Sequence, residues 1–483
     1  MGKNSKYAVA CSLIGSIISI LSGYETGVMA GASLFIQEDL KLTDTQVQLL
    51  IGILNVCAFI GCLTAGHVSN YVGRRRTITV GACFFVAGST VMSQAHSFGL
   101  LMAGRCAAGI GVGYALMIAP VYATEIAPAA TRGSLAATPD VCINLGALAG
   151  YTSTYFFGKL PLAQGWRAML GLGGLPSAVL ALGVLFMPES PRWLAMHGRV
   201  EESRAVLRQL SDTPEEAELL WSKIAPVAVA SPQSSAGVWK EMFLHPTPPV
   251  RRMLVAGVGI LFMQHLSGIN GVQLYSPRVF KDAGITSRDH ILATTVFMGL
   301  AKTVFILSAI LLVDRVGRRP LYLSSLAGVI VSLTCLGTTL TIIRRAEPHH
   351  AAPWTLPVAI TSVFTFVASF SIGLGPITGC YSSEVLPLRL RAHGVSLGVA
   401  LNRLTNAAVA LTFVSLSDAI TMGGAFFLYA GLATCMAAFF YFNCPETKGR
   451  PLEEIEEMFS HGWRARHQLS SVDIPVYQNN PRR

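Results

Sequence analysis

Long apolar segments recur along the chain, separated by shorter polar ones. Each segment reaches or approaches the roughly 20 residues that a helix needs to cross the hydrocarbon core of a membrane. The pattern therefore predicts twelve transmembrane helices, at residues 7–33, 46–71, 77–94, 98–122, 133–157, 166–187, 250–276, 290–313, 319–343, 354–380, 391–417 and 422–443. The first segment, which follows Lys3 and Lys6, also resembles a signal peptide, but the segments behind it favour a first span. We expect an all-α membrane protein.

Composition and charge support a membrane protein. Hydrophobic residues make up 52% of the chain and charged residues 13%, about half the charged fraction of soluble domains. The formal net charge of +10 would suit a nucleic-acid ligand, but the basic residues cluster in alternate loops between the spans, at 74–76, 132, 192–208 and 315–319. By the positive-inside rule, this alternation predicts that both termini and the segment 188–249 are cytoplasmic.

Three motifs occur twice, in the same order in the two parts of the chain. They are NYVGRR at 70–75 and DRVGRR at 314–319, YATE at 122–125 and YSSE at 381–384, and PES at 188–190 and PET at 445–447. Repetition at matching loop positions predicts two six-helix halves with a cavity between them. The predicted boundaries are an N-terminal half at 1–187, a cytoplasmic linker at 188–249, a C-terminal half at 250–443 and a cytoplasmic tail at 444–483.

Short cytoplasmic helices are predicted in the linker and the tail. Residues 200–210 and 214–224 have helical spacing with charged faces, whereas the Pro- and Ser-rich stretch 225–237 predicts a flexible link. Residues 451–459 begin with Pro and acids and place three apolar residues on one face, which predicts another helix. Residues 460–483 are predicted to be disordered.

One acid interrupts the apolar run of the first span. An ionised carboxylate inside a bilayer is costly, so Glu25 is a functional candidate by default. Counting 1.5 Å per residue places Glu25 about 12 Å from the outer end of span one and Arg105 about 10 Å inside span four from the same side. The two side chains can therefore meet, and a pair that forms and breaks can carry a proton across. The alternative is a permanent ion pair that only fixes helix packing.

Span seven carries a group of polar side chains. Side chains that both donate and accept hydrogen bonds suit a ligand that offers many hydroxyls and little apolar surface. Gln264, His265 and Asn270 supply them, and Gly268 permits a local break in the helix. Tyr275, just beyond, is predicted to close the outer side as a gate. The alternatives are interhelical hydrogen bonds for the amides and an interfacial position for the tyrosine.

Charged residues next to the spans predict a cytoplasmic gate. Its members are Arg74, Arg75, Glu125, Arg132, Glu189, Asp314, Arg318, Arg319, Glu384, Arg391 and Glu446. We expect the acids and arginines to pair across the two halves when the inner side closes. An exposed ion pair contributes only about 0–1 kcal/mol, so a network is required to bias two conformations. For some of the basic residues the alternative is a role in membrane topology alone.

Five motifs, in the same order, resemble those of the sugar-porter family of the major facilitator superfamily. They are GRR at 73–75, PESPRWL at 188–194, QHLSGIN at 264–270, GRR at 317–319 and PETKG at 445–449. The likeness covers about residues 7–460, and the segments 111–122 and 370–378 look most like those of plant polyol and monosaccharide transporters. The resemblance implies the twelve-helix fold in two halves.

The resemblance also implies roles for individual residues. Proton-coupled sugar porters carry an acid at the position of Glu25 and an Arg at that of Arg105, although their acid is Asp. By motif position, the resemblance adds Asn144 on span five and Asn402 on span eleven to the substrate site. In the gate, Asn70 stands where the family has Asp, which predicts a looser gate in the N-terminal half than in the C-terminal half.

Four residues depart from the family pattern. His265 replaces a Gln, Gly379 stands where many sugar porters have Trp, and Lys302 and Arg403 replace the amide and aromatic residues common in glucose carriers. Loss of a large ring widens the cavity, so the preferred ligand is expected to differ from hexoses or to bind weakly. Buried cations need partners, and a structural role is the expectation for both.

These observations predict a proton-coupled symporter that imports a small polyol or monosaccharide by alternating access. The alternatives are a facilitative uniporter without coupling and a non-transporting sugar sensor. The chain has no GxxxxGK[ST], HExxH, Cys-x-x-Cys or nucleophile-elbow motif, so we predict no enzyme activity, no cofactor and no metal. The expected partners are the ligand, a proton and the bilayer. The last residues match no retention or peroxisomal signal, so the plasma membrane is the default expectation.

Overall fold

The computed structural model describes residues 3–126, 132–184, 186–229, 246–345, 352–387 and 390–448, together with Glu241, Met242, Leu244, Ile455, Met458 and Phe459. Regular structure in this part of the chain is helical throughout, which confirms the predicted all-α class. The helices, numbered in chain order, are α1 (Lys3–Leu40), α2 (Asp44–Val72), α3 (Arg74–Ser93), α4 (Phe98–Ile126), α5 (Arg132–Phe157), α6 (Leu162–Leu172), α7 (Gly174–Val184), α8 (Pro191–Met196), α9 (Val200–Leu210), α10 (Pro214–Val229), α11 (Pro248–Gln264), α12 (Ile269–Leu274), α13 (Ser276–Asp282), α14 (Arg288–Val316), α15 (Arg318–Arg345), α16 (Thr355–Ser369), α17 (Gly375–Val385), α18 (Arg391–Ile420) and α19 (Met422–Asn443).

Among the described residues, eleven helical stretches are long and apolar enough to cross a membrane. They correspond to all of the predicted spans except span five. Helix α5 occupies that place and, at 26 residues, is long enough to cross, but polar residues such as Asp140 and Asn144 lower its hydropathy. It packs between α1 of the first half and α14 of the second. Eleven spans are therefore supported by composition and the twelfth by its position in the bundle.

Glycines bring α1 and α5 into backbone contact. A side chain at Gly23 or Gly27 of α1, or at Gly146 or Gly150 of α5, would overlap the backbone of the facing helix. Small residues of this kind let membrane helices pack closely. The contact fixes the rotation of α1. Because residues two apart on a helix point in nearly opposite directions, Glu25 faces away from α5, toward α2 and α4.

The repeated motifs form the same turn in both halves. Gly73 (φ 97°) separates α2 from α3, and Gly317 (φ 107°) separates α14 from α15. Positive φ favours glycine, since it lacks a Cβ that would clash. A Cβ at Gly73 would also meet the carboxylate of Glu189, and one at Gly317 would approach that of Glu446. The turn and the acid beside it are therefore repeated together.

Two spans are broken near the middle of the second half. Span seven passes from α11 through a 3₁₀ turn, His265–Ser267, to Gly268 in the left-handed conformation (φ 78°) and then α12, which confirms the predicted break. Span ten changes from α16 to α17 through a π-helical segment, Phe370–Leu374. Such π segments are frequent at functional sites. At the second break, the backbone oxygens of Leu374 and Gly375 accept hydrogen bonds from Gln264 of span seven.

The linker forms short helices, as the sequence predicted. Helix α9 matches the predicted 200–210, and α10 continues to Val229, beyond the predicted end at residue 224 and into the stretch predicted to be flexible. The rest of that stretch lies outside the described residues. Of the predicted tail helix, the structure describes Ile455, Met458 and Phe459, which are helical and buried. Residues 460–483 also lie outside the described part. The end of the bundle that carries α8–α10 is called the linker side below.

Candidate functional site

A buried ion pair joins α1 to α4. One guanidinium nitrogen of Arg105 (Nη1) donates to Glu25 Oε2 at 2.6 Å, and each residue is 1% exposed. Arg105 Nε also donates to the backbone oxygen of Leu50 on α2, at 3.1 Å. The structure thus brings together the two residues for which the sequence predicted a contact, and it anchors the arginine to a third helix.

The pair leaves one carboxylate oxygen unused. Glu25 Oε1 is buried and has no hydrogen-bond partner among the described residues. It is costly to bury an ionised oxygen that accepts no hydrogen bond. Protonation converts the carboxylate to a neutral carboxyl group, with a hydroxyl at that oxygen, which needs no cation beside it. Addition of one proton would therefore weaken the attraction between Glu25 and Arg105. In this arrangement, protonation of Glu25 can replace its ion pair with Arg105.

A hydrogen-bond network occupies the broken region of the second half. Asn402 on α18 donates through Nδ2 to the oxygen of Leu261 at 2.8 Å and to Gln264 Oε1 at 2.9 Å. Gln264 in turn donates through Nε2 to two backbone oxygens at the end of the π segment, at 3.2 and 3.3 Å. Arg403 Nη2 donates to Asn402 Oδ1 at 2.6 Å. The network ties span seven to spans ten and eleven.

His265 completes the network, and its partners define its tautomer. Its Nε2 lies 3.0 Å from Asn402 Oδ1, an acceptor, so Nε2 carries the hydrogen. Its Nδ1 contacts the Nδ2 of Asn270, a donor, so Nδ1 is the acceptor. Arg403 Nη2 lies 3.0 Å from the same Nε2 and donates to Asn402. The neutral ring protonated at Nε2 satisfies Asn402 and Asn270, and Asn402 Oδ1 receives hydrogen bonds from both His265 and Arg403.

Three buried amides keep an unused hydrogen-bonding atom. These atoms are Asn144 Oδ1, Gln273 Nε2 and Asn406 Oδ1, which have no partner among the described residues. Asn144 was predicted, and its Nδ2 donates to the backbone oxygen of Asp140 at 2.7 Å. The sequence analysis missed Gln273 and Asn406. Each is an amide one helical turn from a predicted residue, Asn270 or Asn402, and that spacing could have identified them. Buried polar atoms without partners are rare and are available to a ligand's hydroxyls.

Tyr275 lies between α12 and α13, packed against α18. Its hydroxyl donates to the oxygen of Ala410 at 2.7 Å, and its ring stacks on Phe413 with centroids 5.2 Å apart. At 5% exposure, it is a buried residue of the second half. Its role as a gate stays a prediction.

A second acid of the first half was not predicted. Asp140, one turn from Asn144 on α5, is an exposed residue of that helix. Gly379 borders open space, since a Cβ there would have no neighbour within 4 Å. An acid inside a predicted span was the signal that identified Glu25, and it applied equally to Asp140.

On the linker side, the first half forms its own charged cluster. Arg74 donates to Glu125 through Nε at 3.1 Å and Nη2 at 3.2 Å, so the pair is bidentate. Glu189 accepts from the backbone N–H groups of Arg74, at 2.9 Å, and Arg75, at 3.2 Å. Ser190, next to Glu189, donates its hydroxyl to Glu125. These contacts hold the α2–α3 turn against the ends of α4 and α7.

The second half repeats this cluster. Arg318 Nη2 donates to Glu384 Oε1 at 2.9 Å, and Glu446 accepts from the backbone N–H groups of Arg318, at 3.0 Å, and Arg319, at 2.8 Å. Thr447 donates its hydroxyl to Glu384 at 2.6 Å, the counterpart of Ser190. Arg391 donates through Nε to a backbone oxygen of the preceding loop at 3.2 Å.

The pairs observed on the linker side join residues of the same half. The reason is that each α2–α3 or α14–α15 turn lies beside the acid at the end of its own half's fourth helix. The sequence analysis expected pairing across the two halves when the inner side closes, and that expectation stays a prediction. The side chains of Arg132 and Asp314 lie outside the described part of the structure. Their predicted roles, and the predicted looseness of the first half, stay predictions.

Ion pairs between the halves lie at the opposite end of the bundle. Arg288 of α14 contacts Glu38 of α1 at 2.6 Å. Arg278 of α13 contacts Asp44 of α2 at 3.4 Å and, within its own half, Asp418 of α18 at 3.0 Å. The sequence analysis missed these pairs, because the sequence does not indicate which loops of the two halves meet. They close the side opposite the linker.

A helical membrane bundle in two repeated halves, with a dry ion pair and hydrogen-bonded amides inside, has the architecture of a membrane carrier. A family model described as "Sugar (and other) transporter" matches residues 11–459. Probable polyol transporter 6 of Arabidopsis thaliana is 51% identical over 468 residues, which are 94% of this chain and 94% of that protein. Polyol transporter 5 of the same plant is 48% identical over 97% of this chain and 89% of its own length.

Solved structures agree with these relatives. The proton:xylose symporter XylE, bound to 6-bromo-6-deoxy-D-glucose, superposes with a TM-score of 0.77 at 26% identity, covering 94% of this chain and 100% of that one. The inward-open conformation of the xylose transporter XylE from E. coli gives 0.76 at 25% identity, again over 94% and 100%. The chain therefore belongs to the sugar transporter family of the major facilitator superfamily. It is a multi-pass membrane transporter of the sugar and polyol class rather than an enzyme.

Proposed function

We propose that this transporter is a proton-coupled symporter that imports a small polyol or monosaccharide by alternating access. We further propose that it works in the plasma membrane with both termini in the cytoplasm, as the distribution of basic loops predicted. The observation that carries the proposal is the Arg105–Glu25 pair, which is fully buried and leaves one carboxylate oxygen unused.

The chemistry of the pair supports proton coupling. In the ionised state, Arg105 stabilises Glu25 by direct contact. If α1 and α4 move apart, the carboxylate loses its counter-charge in a medium of low dielectric constant and takes up a proton instead. The relative XylE is a proton:xylose symporter, which supports the same reading for the related chain.

The amide network supports a hydroxylated ligand. Gln264, His265, Asn270 and Asn402 use their hydrogen bonds among themselves and on the backbone, so we assign them to positioning the site. The unused atoms of Asn144, Gln273 and Asn406 are proposed to contact the ligand. An acceptor from the first half and a donor and an acceptor from the second suit a ligand whose hydroxyls both donate and accept.

The distribution of ion pairs supports alternating access. The halves are joined by ion pairs on the side opposite the linker, whereas the linker-side clusters are formed within each half. A carrier that is closed on one side and exposes its site to the other has this asymmetry. With the predicted topology, the site would be accessible from the cytoplasm in this conformation.

The test is uptake by purified protein in liposomes. Labelled polyols, pentoses and hexoses are offered with and without an inward proton gradient. We expect accumulation above equilibrium for at least one polyol or monosaccharide, with acidification of the lumen. Glu25→Gln should abolish accumulation against a gradient while exchange of labelled for unlabelled ligand continues, because the neutral amide cannot release a proton. Glu25→Asp should retain gradient-driven uptake.

The control is Glu201→Gln, an exposed acid in the first turn of α9. It should behave as the unmodified protein. If Glu25→Gln still concentrates the ligand, Glu25 is not the coupling residue. Uptake that ignores the proton gradient would identify a uniporter, and binding without flux would identify a sensor.

A further inference from the structure

A buried amide of the first half forms hydrogen bonds with the second half. Gln48 of α2 is 4% exposed, and its side chain faces the backbone of α18. One amide atom lies 2.8 Å from the backbone oxygen of Leu411, an acceptor, so this atom is the nitrogen. The same nitrogen lies 3.1 Å from the Ser415 hydroxyl, and the amide oxygen accepts from the backbone N–H of Ser415 at 3.3 Å. Gln48 therefore binds α18 at two points one turn apart.

Close packing surrounds this contact. Gly52 lies one turn after Gln48 on the same face of α2, and a Cβ at Gly52 would overlap the side chain of Leu411. The Leu411 side chain thus lies directly on the backbone of α2. The preceding residue of α18, Ala410, accepts a hydrogen bond from the Tyr275 hydroxyl at 2.7 Å. One turn of α18 therefore receives α2 of the first half and span seven of its own half.

The same part of α2 is joined to the ion pair. Arg105 Nε donates at 3.1 Å to the backbone oxygen of Leu50, two residues after Gln48. Nη1 of that guanidinium binds Glu25. A shift of the arginine side chain would therefore act on the first turns of α2, where the bonds to α18 are made.

At its other end, this connection reaches the amide network. Asn402 and Asn406 lie on α18, and Asn406 is one turn before Ala410. Asn402 makes the central hydrogen bonds of the network, and Asn406 keeps an unused acceptor. Gln48 thus lies between the helices that hold the ion pair and the helix that carries these amides.

We propose that Gln48 is a positioning residue that makes closure of the side opposite the linker depend on the Glu25–Arg105 pair. The inference rests on the proposed function, since it concerns how the same pair acts on the second half. While the pair is formed, Arg105 is held against Leu50, and Gln48 is in place to bind α18. Protonation of Glu25 removes the charge that holds the guanidinium, so α2 can shift and its bonds to α18 weaken.

This dependence would prevent the passage of protons without ligand. A carrier that is protonated but empty would stay open on the side from which the proton came. A ligand that contacts Asn144 of the first half and Asn406 of α18 would draw the two halves together again. Closure would then follow binding of both the proton and the ligand.

The experiment measures closure in the absence of ligand. Spin labels at Leu160 and Ala419, exposed residues of the two halves on the side opposite the linker, report the distance across it in a variant freed of its ten cysteines. Glu25→Gln removes the charge as a bound proton would. It should raise the ratio of open to closed molecules by about fivefold or more, the lower end of couplings between sites. In Gln48→Leu, which keeps the volume without the amide, Glu25→Gln should change the ratio by less than about twofold.

Two further variants separate this role from general packing. Gln164→Leu is the matched control, since it removes an exposed amide of α6 on the same side. It should leave the response to Glu25→Gln unchanged. Ser415→Ala removes one partner of Gln48 but keeps the bond to the Leu411 oxygen, so it should give an intermediate response. Ser415→Ala also replaces Gln48→Leu if the latter does not fold or is open in every molecule.

An equal response to Glu25→Gln with and without the Gln48 amide overturns the inference, as does the absence of a response in the unmodified protein. A glutamine that only stabilises packing would change the ratio itself but not its response to Glu25→Gln. If the unmodified protein shows no uptake driven by a proton gradient, the proposed function fails. The distance measurement needs neither ligand nor gradient, so it still decides whether Gln48 links the ion pair to closure.

Discussion

The two halves of this transporter share their linker-side motifs but bury different chemistry. In each half, an acid accepts the backbone N–H groups of two successive arginines, and a second acid receives one of their side chains. Inside, the first half holds Glu25 and Arg105 in a dry pair, whereas the second holds a network of amides around Asn402. The repeated turns give the two halves the same scaffold, whereas their interiors carry different polar groups, an ion pair in the first half and amides in the second.

In the proposed symport, this division indicates that the proton is coupled to the ligand through relative motion of the two halves. The ion pair contacts α1, α2 and α4, and the amide network contacts α11, α17 and α18. No hydrogen bond described in the structure joins Arg105 or Glu25 to the amide network. Helices α2 and α18, and α5 and α14, pack across the boundary and can transmit displacement of one half to the other.

The largest effect is expected from breaking the dry pair at one end. Arg105→Gln leaves Glu25 buried without a cation, which should cost about 3 kcal/mol of stability when the acid is ionised. Glu25→Gln/Arg105→Gln removes both charges and should be more stable than Arg105→Gln alone. Thermal denaturation of Glu25→Gln, Arg105→Gln and the double variant in detergent at pH 8 measures this difference. A double variant as unstable as the sum of its two single variants would contradict a mutual pair.

A smaller effect, of a different kind, is expected in the second half. Asn402→Ala leaves Gln264, His265 and Arg403 without a shared partner, so the site should lose its geometry. We expect KM to rise about 10- to 100-fold, the range of one or two buried hydrogen bonds. Dependence on the proton gradient should persist. Initial rates of uptake measure both quantities.

The control for this variant is Asn443→Ala. Asn443 ends α19, and its amide donates to its own helix at 3.0 Å, so it shares the residue type without the network. KM should stay unchanged in this variant. Loss of the proton dependence in Asn402→Ala would mean that the two halves do not separate the functions as proposed.

The sequence predicted those features that depend on local pattern. Apolar length identified the spans, Gly268 indicated the broken helix, and the position of Glu25 along its span placed it at the depth of Arg105. These inferences need only helix geometry and the cost of charge in a membrane. Of the residues that the repeated motifs named, Arg74 pairs with Glu125 and Arg318 with Glu384.

What the sequence could not provide was which helix faces meet. Arg74 was expected to pair across the halves when the inner side closes, and its observed position beside Glu125 depends on how α2 and α4 are rotated against each other. The same applies to α5, which packs on α1 of its own half and on α14 of the other. Glycine contacts such as Gly27 against α5 fix these rotations, and no single helix contains that information.

The smallest effect is expected where the halves meet, on the side opposite the linker. Arg288–Glu38 is about half exposed, so it should contribute about 0–1 kcal/mol, which changes the population of a closed state by no more than about fivefold. Glu38→Lys should widen the distance between spin labels at Thr45 and Asp289, in a variant freed of its ten cysteines. Glu38→Lys/Arg288→Glu should restore the distance, and Glu202→Lys, which breaks an exposed pair within the linker, should not alter it.

Salt provides a second measurement of the same contact. Because salt screens exposed charges over about 8 Å at 0.15 M, the change in distance caused by Glu38→Lys should shrink at 1 M. A distance that ignores both the reversal and the salt would mean that apolar packing, rather than charge, holds this side closed.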